Sequence, residues 1–519
     1  MGDRKNTMKK INRALISVSD KTNLRFLLEK LDKFNIKFIS SGGTYKEIKK
    51  MGFSCEEVSK YTNSSEILSG RVKTLHPKIH AGILSNRKLK LHRNDLKKND
   101  YNEIDLVIVN FYPFEKVIRK TKNQNKILEN IDIGGPTMVR AAAKNYNFVT
   151  VITKISQYKD LVENIYKNKG STSLDFRKNA AMEAFGETAF YDSLIYRYFN
   201  QISSNEFPNK LVLGFNLLEK LRYGENPHQN GAIYTSSADL GVEKLHGKQL
   251  SYNNFSDIFA ALQLSKSLPK NVGTVIVKHG NPCGVSLHKN NIHSFMLAHK
   301  CDPISAFGGI VSCNFKINKK LALKINKLFF EVIIGIGFDK EALTILKRKK
   351  NIRIINAKNY KISDKKDFIS NNNFTLIQSP DINSLKFNNF QVVSKTKPSK
   401  KTFKNLILAF HICRFVKSNA IVLTNENSTV GIGSGQPSRL DSCDIAIKKM
   451  NEFQNMSNKE ILAASDAFFP FVDGIEKLIQ NGVSGIIQPS GSIRDKEIIS
   501  FANKTKTILV FSKSRHFRH

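Results

Sequence analysis

Short apolar runs alternate with helix-like segments along the first 200 residues of the chain. The runs are ALISVS at 14–19, IKFIS at 36–40, LVIVNFY at 106–112 and VTVIT at 149–153. Apolar residues at helical spacing follow the first two runs, at about 23–35 and 45–51. Because strands that alternate with helices form parallel sheets, this pattern predicts a parallel α/β domain.

A second α/β region follows the helical stretch 179–200 and the polar, Pro-containing segment 201–210. Its strand-like runs are TVIVKHG, GGIVSCNF, EVIIGIGF, NAIVLTNENSTVGIGSG and SGIIQPSGS, which begin at residues 274, 308, 331, 419 and 484. We therefore predict two domains, 1–200 and 201–519. The Lys- and Asn-rich stretch 356–401 predicts a looser connection inside the second domain.

Composition limits the partners that we expect. The formal net charge is +38, but the 82 Lys and Arg residues form no dense basic arm, which favours a solvated lysine surface over a nucleic-acid face. A basic nucleic-acid-binding protein stays an alternative, and it predicts steeply salt-dependent binding. The chain has no run of about 18 apolar residues and no secretory signal, which predicts a cytoplasmic protein without a membrane partner.

The stretch VIVKHGNPCGVS at 275–286 places a lysine and a histidine at the end of a β-branched run. Three interpretations are open: an ordinary polar strand end, a zinc site built on His279 and Cys283, or a catalytic Lys-His pair. A zinc deaminase needs His-x-Glu and Pro-Cys-x-x-Cys, whereas Asn281 and Ser286 stand at the Glu and second Cys positions. The six cysteines also form no C-x-x-C pair, so we predict that no metal is required.

Three turns in the first domain are rich in glycine or in cations. FISSGGTYKEI at 38–48 joins a strand to a helix through a glycine pair, where backbone N–H groups can bind a phosphate. SGRVKTLHPKIHAGIL at 69–84 concentrates basic residues around a proline turn, and IDIGGPTMVRAAAKN at 131–145 has a second glycine pair. Each motif alone is also typical of a plain turn or a solvated loop. Together they predict a site for a phosphorylated small molecule.

These motifs, in their order and spacing, resemble one known family. The first domain has SVSDK, SGGT, GRVKTLHP, NFYPF and IDIGGPTMVRAAAKN. The second has RYGENPHQ, LSYNN, KHGNPCG, DPISAFGG, VKSNAIV, GIGSGQPSR, SDAFFPFVDG, QPSGSIRD and the terminal RHFRH. From about Arg13 to His519 the chain resembles the bifunctional purine-synthesis family that combines aminoimidazole carboxamide ribotide (AICAR) formyltransferase with inosine monophosphate (IMP) cyclohydrolase.

The resemblance implies a fold, two reactions and partners. The fold is a methylglyoxal-synthase-like α/β cyclohydrolase domain followed by a transformylase domain of two cytidine-deaminase-like α/β subdomains, in a homodimer. The reactions are formyl transfer from a reduced folate, 10-formyltetrahydrofolate, to AICAR, giving FAICAR, and the dehydrative closure of FAICAR to IMP. The alternative is a regulatory relative that keeps the pockets without catalysis; the joint presence of Lys144, Lys278, His279 and Asn419 argues against it.

In the second domain, the resemblance implies that His279 removes the amine proton of AICAR and that Lys278 stabilises the developing charge. Asn419 would contact the reacting groups, and Asp473 would serve folate binding or proton transfer. The nucleotide would be bound by Arg222, Tyr223, Gly308, Glu331, Arg439, Phe468 and Arg515, and the folate by Leu440, Ser492 and Ile493.

In the first domain, the resemblance implies that Lys144 is the general acid/base of ring closure and that Lys73 and Tyr112 assist it. The nucleotide would be held by Ser19, Asp20, Lys21, Ser41, Gly42, Gly43, Thr44, Arg71, Val72, Thr74, Asn110, Asp132 and Ile133. Ring closure needs little covalent help, so we expect positioning and proton transfer to dominate.

Overall fold

The computed structural model describes residues 8–203, 205–236, 239–362, 366–382, 387–455 and 459–519. The chain divides into two compact units, Met1–Phe215 (the N-terminal unit) and Asn216–His519 (the C-terminal unit). The division lies beyond residue 200 because the segment after the long helix folds back on it, where the Tyr196 hydroxyl donates to the carbonyl of Lys210. Residues 1–7 of the predicted first domain, and 363–365 and 383–386 of the predicted connection, lie outside the described residues.

The N-terminal unit is built from short strands and amphipathic helices. Its strands are β1 (Lys9–Lys10), β2 (Arg13–Val18), β3 (Lys37–Ser40), β4 (Glu56–Glu57), β5 (Leu106–Asn110), β6 (Thr150–Ile152) and β7 (Ser171–Thr172). Its helices are α1 (Leu24–Asp32), α2 (Gly42–Lys50), α3 (Val58–Thr62), α4 (Pro77–Leu84), α5 (Lys90–Lys98), α6 (Phe114–Lys120), α7 (Gln124–Leu128), α8 (Gly134–Lys144), α9 (Tyr158–Lys167) and α10 (Leu174–Ser203).

A five-stranded parallel sheet in the order β4-β3-β2-β5-β6 forms the centre of this unit. Leu15 and Val107 lie in the core cluster that includes residues of α8 and α10, and Ile16 and Leu106 lie in the cluster that includes residues of α1 and α9. Side chains alternate between the two faces of a strand, so both faces of the sheet are buried. Because β2, β3 and β5 are parallel, the turns that follow them lie at the same edge of the sheet.

The C-terminal unit has more strands. They are β8 (Asn216–Leu221), β9 (Gly231–Thr235), β10 (Glu243–His246), β11 (Gly273–Lys278), β12 (Asn281–Leu287), β13 (Ile310–Cys313), β14 (Val332–Gly335), β15 (Arg353–Asn356), β16 (Asp367–Ser370), β17 (Thr375–Gln378), β18 (Phe390–Val392), β19 (Ile421–Asn425), β20 (Ser428–Gly433), β21 (Ile461–Ser465), β22 (Val483–Pro489) and β23 (Ile508–Ser512). The helices are α11 (Tyr252–Ser267), α12 (Asn291–Cys301), α13 (Pro303–Ala306), α14 (Lys319–Asn326), α15 (Lys340–Leu346), α16 (Lys400–Cys413), α17 (Arg439–Phe453), α18 (Asp473–Gln480) and α19 (Asp495–Lys504).

Twelve of these strands form one sheet, which consists of two similar halves. Outward from the centre, the first half runs β12-β11-β13-β14-β15-β10 and the second runs β20-β19-β21-β22-β23-β18, with the same sequence of antiparallel and parallel pairs. The halves join where β12 and β20 pair antiparallel, with Ser286 opposite Ser428. We call this junction the seam. The turn between β11 and β12 and the residues that enter β19 therefore lie at the same end of the seam.

The predicted α/β fold class is confirmed for the whole chain. Among the described residues, no helix is both long enough and apolar enough to cross a membrane. Two hairpins, β8–β9 and β16–β17, stand apart as two-stranded sheets. The second of them lies in the predicted looser connection and has exposed apolar side chains, including Phe368, Ile369 and Leu376.

Candidate active sites

The turns at the carboxyl edge of the N-terminal sheet surround a cavity of about 830 Å³. Most residues predicted for the nucleotide and for ring closure line it: Ser19, Lys21, Ser41, Gly43, Thr44, Arg71, Lys73, Thr74, Asn110, Tyr112, Asp132 and Ile133. The predicted Asp20, Gly42 and Val72 are neighbours of these residues in the chain but do not form part of the lining. The structure thus brings together motifs that lie more than 100 residues apart in the sequence.

The ammonium group of Lys73 lies close to the backbone of Gly42, where a larger residue would not fit without a shift. Gly42 has φ +52, and a Cβ atom at that position would lie 2.8 Å from Nζ of Lys73. The same Nζ is 3.8 Å from Oε1 of Glu66. Ser41 makes no side-chain capping hydrogen bond at the start of α2, and the first N–H groups of a helix have no partner within the helix. The Lys73 ammonium and the start of α2 therefore provide donors suited to an anion.

Two predicted binding residues are already engaged within the protein. Oδ1 of Asn110 accepts from the backbone N of Ser19 (2.6 Å) and of Asp20 (2.9 Å), and its Nδ2 donates to the carbonyl of Asp20 (2.9 Å). The Thr44 hydroxyl bonds to the backbone N and O of Val18 at 3.1 and 3.0 Å. These side chains fix the shape of the cavity by holding the end of β2 and the loop after it.

The cavity is also lined by two groups with raised pKa values, the Asp132 carboxyl and the Tyr112 hydroxyl. Burial raises the pKa of the Asp132 carboxyl, although hydrogen bonds from the backbone of Gly135 and Tyr112 partly oppose this. Burial, and then the charge of Asp132, raises the pKa of the Tyr112 hydroxyl. A carboxyl with a raised pKa next to a protonated phenol can exchange a proton with a bound substrate.

The structure does not bring Lys144 to this cavity. Gly134 begins α8 at the cavity, and Lys144 ends the same helix, an axial rise of about 15 Å away. Lys144 instead lines a second cavity of about 670 Å³, together with His80, Arg140 and Lys178. A motif that is continuous in sequence is therefore divided between the two ends of a helix.

In the C-terminal unit, the predicted Lys-His pair occupies the turn between β11 and β12. His279 has φ 55 and Gly280 has φ 73, so both residues of the turn are left-handed. The Asp257 carboxylate of α11 accepts from the backbone N of His279 (3.1 Å) and of Gly280 (2.6 Å). Nζ of Lys278 donates to the carbonyl of Phe307 at 2.8 Å, which places the ammonium beside the predicted Gly308.

The seam connects this turn to the predicted Asn419. Oδ1 of Asn281 accepts from the backbone N of Lys417 at 3.0 Å, two residues before Asn419. The Asn419 amide nitrogen donates to the carbonyls of Gln436 and Pro437, and its Oδ1 accepts from Nη2 of Arg439 at 2.7 Å. The residues predicted for catalysis and for nucleotide binding thus come from both halves of the sheet.

The start of α11 contacts Glu331 and the loop of Arg222 and Tyr223, three further predicted residues. Nδ2 of Asn254 donates to Oε2 of Glu331 at 3.0 Å, and Nδ2 of Asn253 donates to the carbonyl of Glu225 at 3.2 Å. The second bond anchors the loop that contains Arg222 and Tyr223. In that loop the Arg222 guanidinium lies 4.6 Å from the centre of the Tyr223 ring.

The remaining predicted residues form two groups. The backbone N of His516 donates to the carbonyl of Asp466 at 2.9 Å, so the segment with Arg515 is attached two residues before Phe468. The predicted folate residues Leu440, Ser492 and Ile493, and Asp473, predicted for folate binding or proton transfer, lie at or just before the starts of α17, α18 and α19. Arg494 lies over the Phe471 ring at 4.6 Å, which joins the last two of these three regions.

Sequence analysis missed three residues that hold the site together: Asp257, Asn281 as a bridge across the seam, and Asp466. Asp257 lies three residues after the LSYNN motif, and Asp466 lies within SDAFFPFVDG. Their partners lie far away in sequence, and no local pattern indicates them.

A metal site is not evident among the described residues: no three His, Cys, Asp or Glu side chains are grouped to hold an ion. Cys283 is buried and free, and burial raises its pKa to about 12. In the metal-free protein a thiol with that pKa stays protonated near neutral pH.

Comparison with known proteins identifies the family. A family model described as AICARFT/IMPCHase bienzyme matches residues 142–449, which is more than half of the chain. The chain belongs to this family. A second model, MGS-like domain, matches residues 23–137 and agrees with the methylglyoxal-synthase-like fold predicted for the N-terminal unit.

Several curated relatives of the AICARFT/IMPCHase bienzyme match nearly the whole chain. A protein of Persephonella marina is 42% identical over 517 residues, covering 98% of this chain and 99% of its own. A protein of Leptospira biflexa is 43% identical over 515 residues, covering 99% and 100%. Both are named bifunctional purine biosynthesis protein PurH. A solved structure, the crystal structure of ForH, is 27% identical and covers 36% of this chain and 99% of its own, with a TM-score of 0.33.

Family membership confirms the predicted enzyme. This AICARFT/IMPCHase bienzyme is a bifunctional enzyme of purine biosynthesis, with AICAR formyltransferase and IMP cyclohydrolase activities. It transfers a formyl group to AICAR to give FAICAR and closes FAICAR to IMP.

Proposed function

We propose that the two reactions take place at two separate sites, cyclisation in the cavity of the N-terminal unit and formyl transfer at the seam of the C-terminal unit. The observation that carries this proposal is the turn between β11 and β12, which presents Lys278 and His279 together where the two halves of the sheet meet. The N-terminal cavity offers different chemistry: cations, the start of a helix, and two groups with raised pKa values.

At the seam, the formyl donor is 10-formyltetrahydrofolate. The AICAR amine is conjugated with the imidazole ring and is a poor nucleophile, so it needs a base as it attacks the formyl carbon. His279 removes the amine proton, and Lys278 stabilises negative charge on the formyl oxygen. The new N–C bond forms as the bond from N10 of the folate to the formyl carbon breaks, and N10 takes a proton to give tetrahydrofolate. Asn419 orients the reacting groups, and Asp473 serves the folate or the returning proton.

Nucleotide and folate occupy different parts of this site. The nucleotide residues are Arg222, Tyr223, Gly308, Glu331, Arg439, Phe468 and Arg515. The exposed cation Arg222 suits the phosphate, whereas the buried Arg439 is held by Asn419 and Asp466. The folate residues Leu440, Ser492 and Ile493 lie near the starts of α17 and α19. Ile493 is fully exposed, and an exposed apolar side chain can cover the pteridine ring system.

In the N-terminal cavity, the carboxamide nitrogen of FAICAR attacks the formyl carbon and water leaves. The start of α2, with Lys21 and Arg71, binds the phosphate. Lys73 and Tyr112 move the protons that the departing water requires, and Asp132 can hold one of them because burial raises its pKa. The acid/base role implied for Lys144 stays a prediction, because within one chain this residue lines the other cavity.

We also propose that the enzyme is a cytoplasmic homodimer that needs no metal and binds no nucleic acid. The hairpin β16–β17 supports the dimer, because Ile369 and Leu376 are 64% and 60% exposed on a two-stranded sheet, and such a hairpin is marginal when it stands alone. Sedimentation at micromolar concentration tests the dimer. Activity that survives a strong chelator is expected, and loss of activity that Zn²⁺ or Mg²⁺ restores would contradict the metal-free mechanism.

The direct test of both activities is an incubation of the purified protein with AICAR and 10-formyltetrahydrofolate, followed by mass spectrometry of tetrahydrofolate, FAICAR and IMP. We expect tetrahydrofolate and IMP to appear together. Tetrahydrofolate with FAICAR alone would contradict the cyclohydrolase site, and absence of all three products would contradict the formyltransferase site.

A further inference from the structure

We propose that Asp257 is a positioning residue for formyl transfer, because it holds the backbone of the turn that presents His279. The proposal rests on the function proposed for His279 and adds a residue that acts through it. Asp257 belongs to α11 and not to the strands of the turn. Its two carboxylate oxygens bind two consecutive backbone N–H groups, at 3.1 Å for His279 and 2.6 Å for Gly280.

The turn needs such support because of the residue at its first position. His279 and Gly280 are the two residues between the paired Lys278 and Asn281, and both have positive φ, 55 and 73. Two-residue hairpin turns of this kind favour Asn, Asp or Gly at the first position, because a side chain disfavours the left-handed conformation. Histidine adopts this conformation more readily than most residues but less readily than glycine, so a contact from outside the hairpin adds stability to the turn.

Asp257 is placed to supply that stabilisation. In the hairpin the N–H groups of the two turn residues point away from the strand pairing, and the carboxylate accepts one with each oxygen. A hydrogen bond between an ionised carboxylate and an amide is stronger than one between neutral groups. The helix that carries Asp257 is fixed in the core by Phe255 and Ile258, which are 9% and 1% exposed. Asp257 therefore attaches the turn to α11, a helix that is fixed in the core.

The other side of the turn is held across the seam. The bond from the Lys417 backbone to Oδ1 of Asn281 fixes the residue that follows Gly280. These two attachments restrain the backbone on both sides of His279, and the backbone sets the direction in which its Cα–Cβ bond leaves the turn. Misplacement of a catalytic group by about 1 Å costs about 10²-fold in rate, so loss of the Asp257 attachment should reduce catalysis without removing any catalytic atom.

The test compares Asp257→Ala and Asp257→Asn with the control Asp339→Ala in the full-length protein. Asp339 forms an exposed pair with Lys316 in the same half of the sheet, so the control removes the same charge elsewhere. We expect kcat of formyl transfer to fall about 10²-fold in Asp257→Ala, with KM for AICAR changed less than twofold. Asp257→Asn keeps one carbonyl oxygen and should lose less. Cyclisation of added FAICAR, measured on the same samples, should stay unchanged in all three variants.

A double-mutant cycle shows whether Asp257 acts through His279. Asp257→Ala should have no further effect on formyl transfer in a His279→Ala background, because there is no imidazole left to position. Equal losses in both backgrounds, a kcat like that of wild type, or a rise in KM alone would overturn the proposal. If Asp257→Ala fails to fold, Asp257→Asn decides by the same criteria. Full formyl transfer in His279→Ala itself would contradict the proposed function instead, so the two failures are distinguishable.

Discussion

The guanidinium of Arg439 bonds to the carboxylate of Asp466 in the interior of the C-terminal unit, where the two side chains are 8% and 0% exposed. The second oxygen of the carboxylate accepts from the Ser418 hydroxyl at 2.6 Å. The Asp466 carbonyl accepts from the backbone N of His516. The segments that contain Asn419, Arg439, Phe468 and Arg515 therefore meet at one buried acidic residue.

Replacement of Asp466 by asparagine is expected to damage both stability and nucleotide binding. The change leaves Arg439 as a buried cation without a counter-charge, and breaking a buried ion pair costs about 3 kcal/mol. We expect a lower free energy of unfolding in urea and a raised KM for AICAR. The control Asp444→Asn removes a carboxylate from a partly exposed pair with Lys477, where we expect less than about 1 kcal/mol. Equal effects of the two substitutions would contradict the role assigned to Asp466.

The close approach of Gly42 to Lys73 predicts a substitution that impairs only cyclisation. Alanine at 42 is strained at φ +52 and would crowd Nζ of Lys73. Alanine at Gly52 is a matched control, because this residue has φ +90 and nothing lies within 4 Å of the position of its Cβ. Both variants should lose about 1 kcal/mol of stability. We expect slower conversion of FAICAR to IMP only in Gly42→Ala; the same rate in both variants would argue against a role of Lys73.

His411 predicts a pH dependence of stability. Burial lowers its pKa to about 4, and its Nε2 lies 2.8 Å from the Ser267 hydroxyl. Between pH 4 and 6.5 the unfolded chain binds more protons at this residue than the folded chain. Its contribution is therefore complete above about pH 6.5 and is lost as the pH falls towards 4, a change of about 3 kcal/mol. Urea unfolding of wild type and His411→Gln at pH 7 and pH 5 tests this, and the variant should lose less stability. Equal losses would contradict the assignment.

Local sequence patterns predicted the approximate positions of several strands. The run at 14–19 overlaps β2 except for the first residue of the strand, the runs at 36–40 and 106–112 contain β3 and β5, and residues of the turns that follow them line the N-terminal cavity. All strands of a parallel sheet run in the same direction, so the turns after them lie at one edge once the sheet is predicted to be parallel. The fold class and the family followed from long motifs, each of which is local in sequence.

Relationships over long sequence distances could not be predicted. Asp257 lies 22 residues before His279, and Asn281 lies 136 residues before Lys417. The antiparallel pairing of β12 with β20 brings Asn281 and Lys417 together, and no composition or periodicity encodes that pairing. Lys144 shows that residues close in sequence can also lie far apart in space. The 11-residue helix α8 begins at the glycine pair of the motif and ends at Lys144.

Two separate sites in one chain are the central claim, and one measurement tests it most directly. Formyl transfer to AICAR and closure of added FAICAR should be measured on the same preparation of His279→Ala, with circular dichroism to confirm folding. We expect formyl transfer to fall by about 10² to 10⁴-fold while IMP forms from FAICAR at the wild-type rate. Loss of both activities in the folded variant, or retention of full formyl transfer, would contradict the claim.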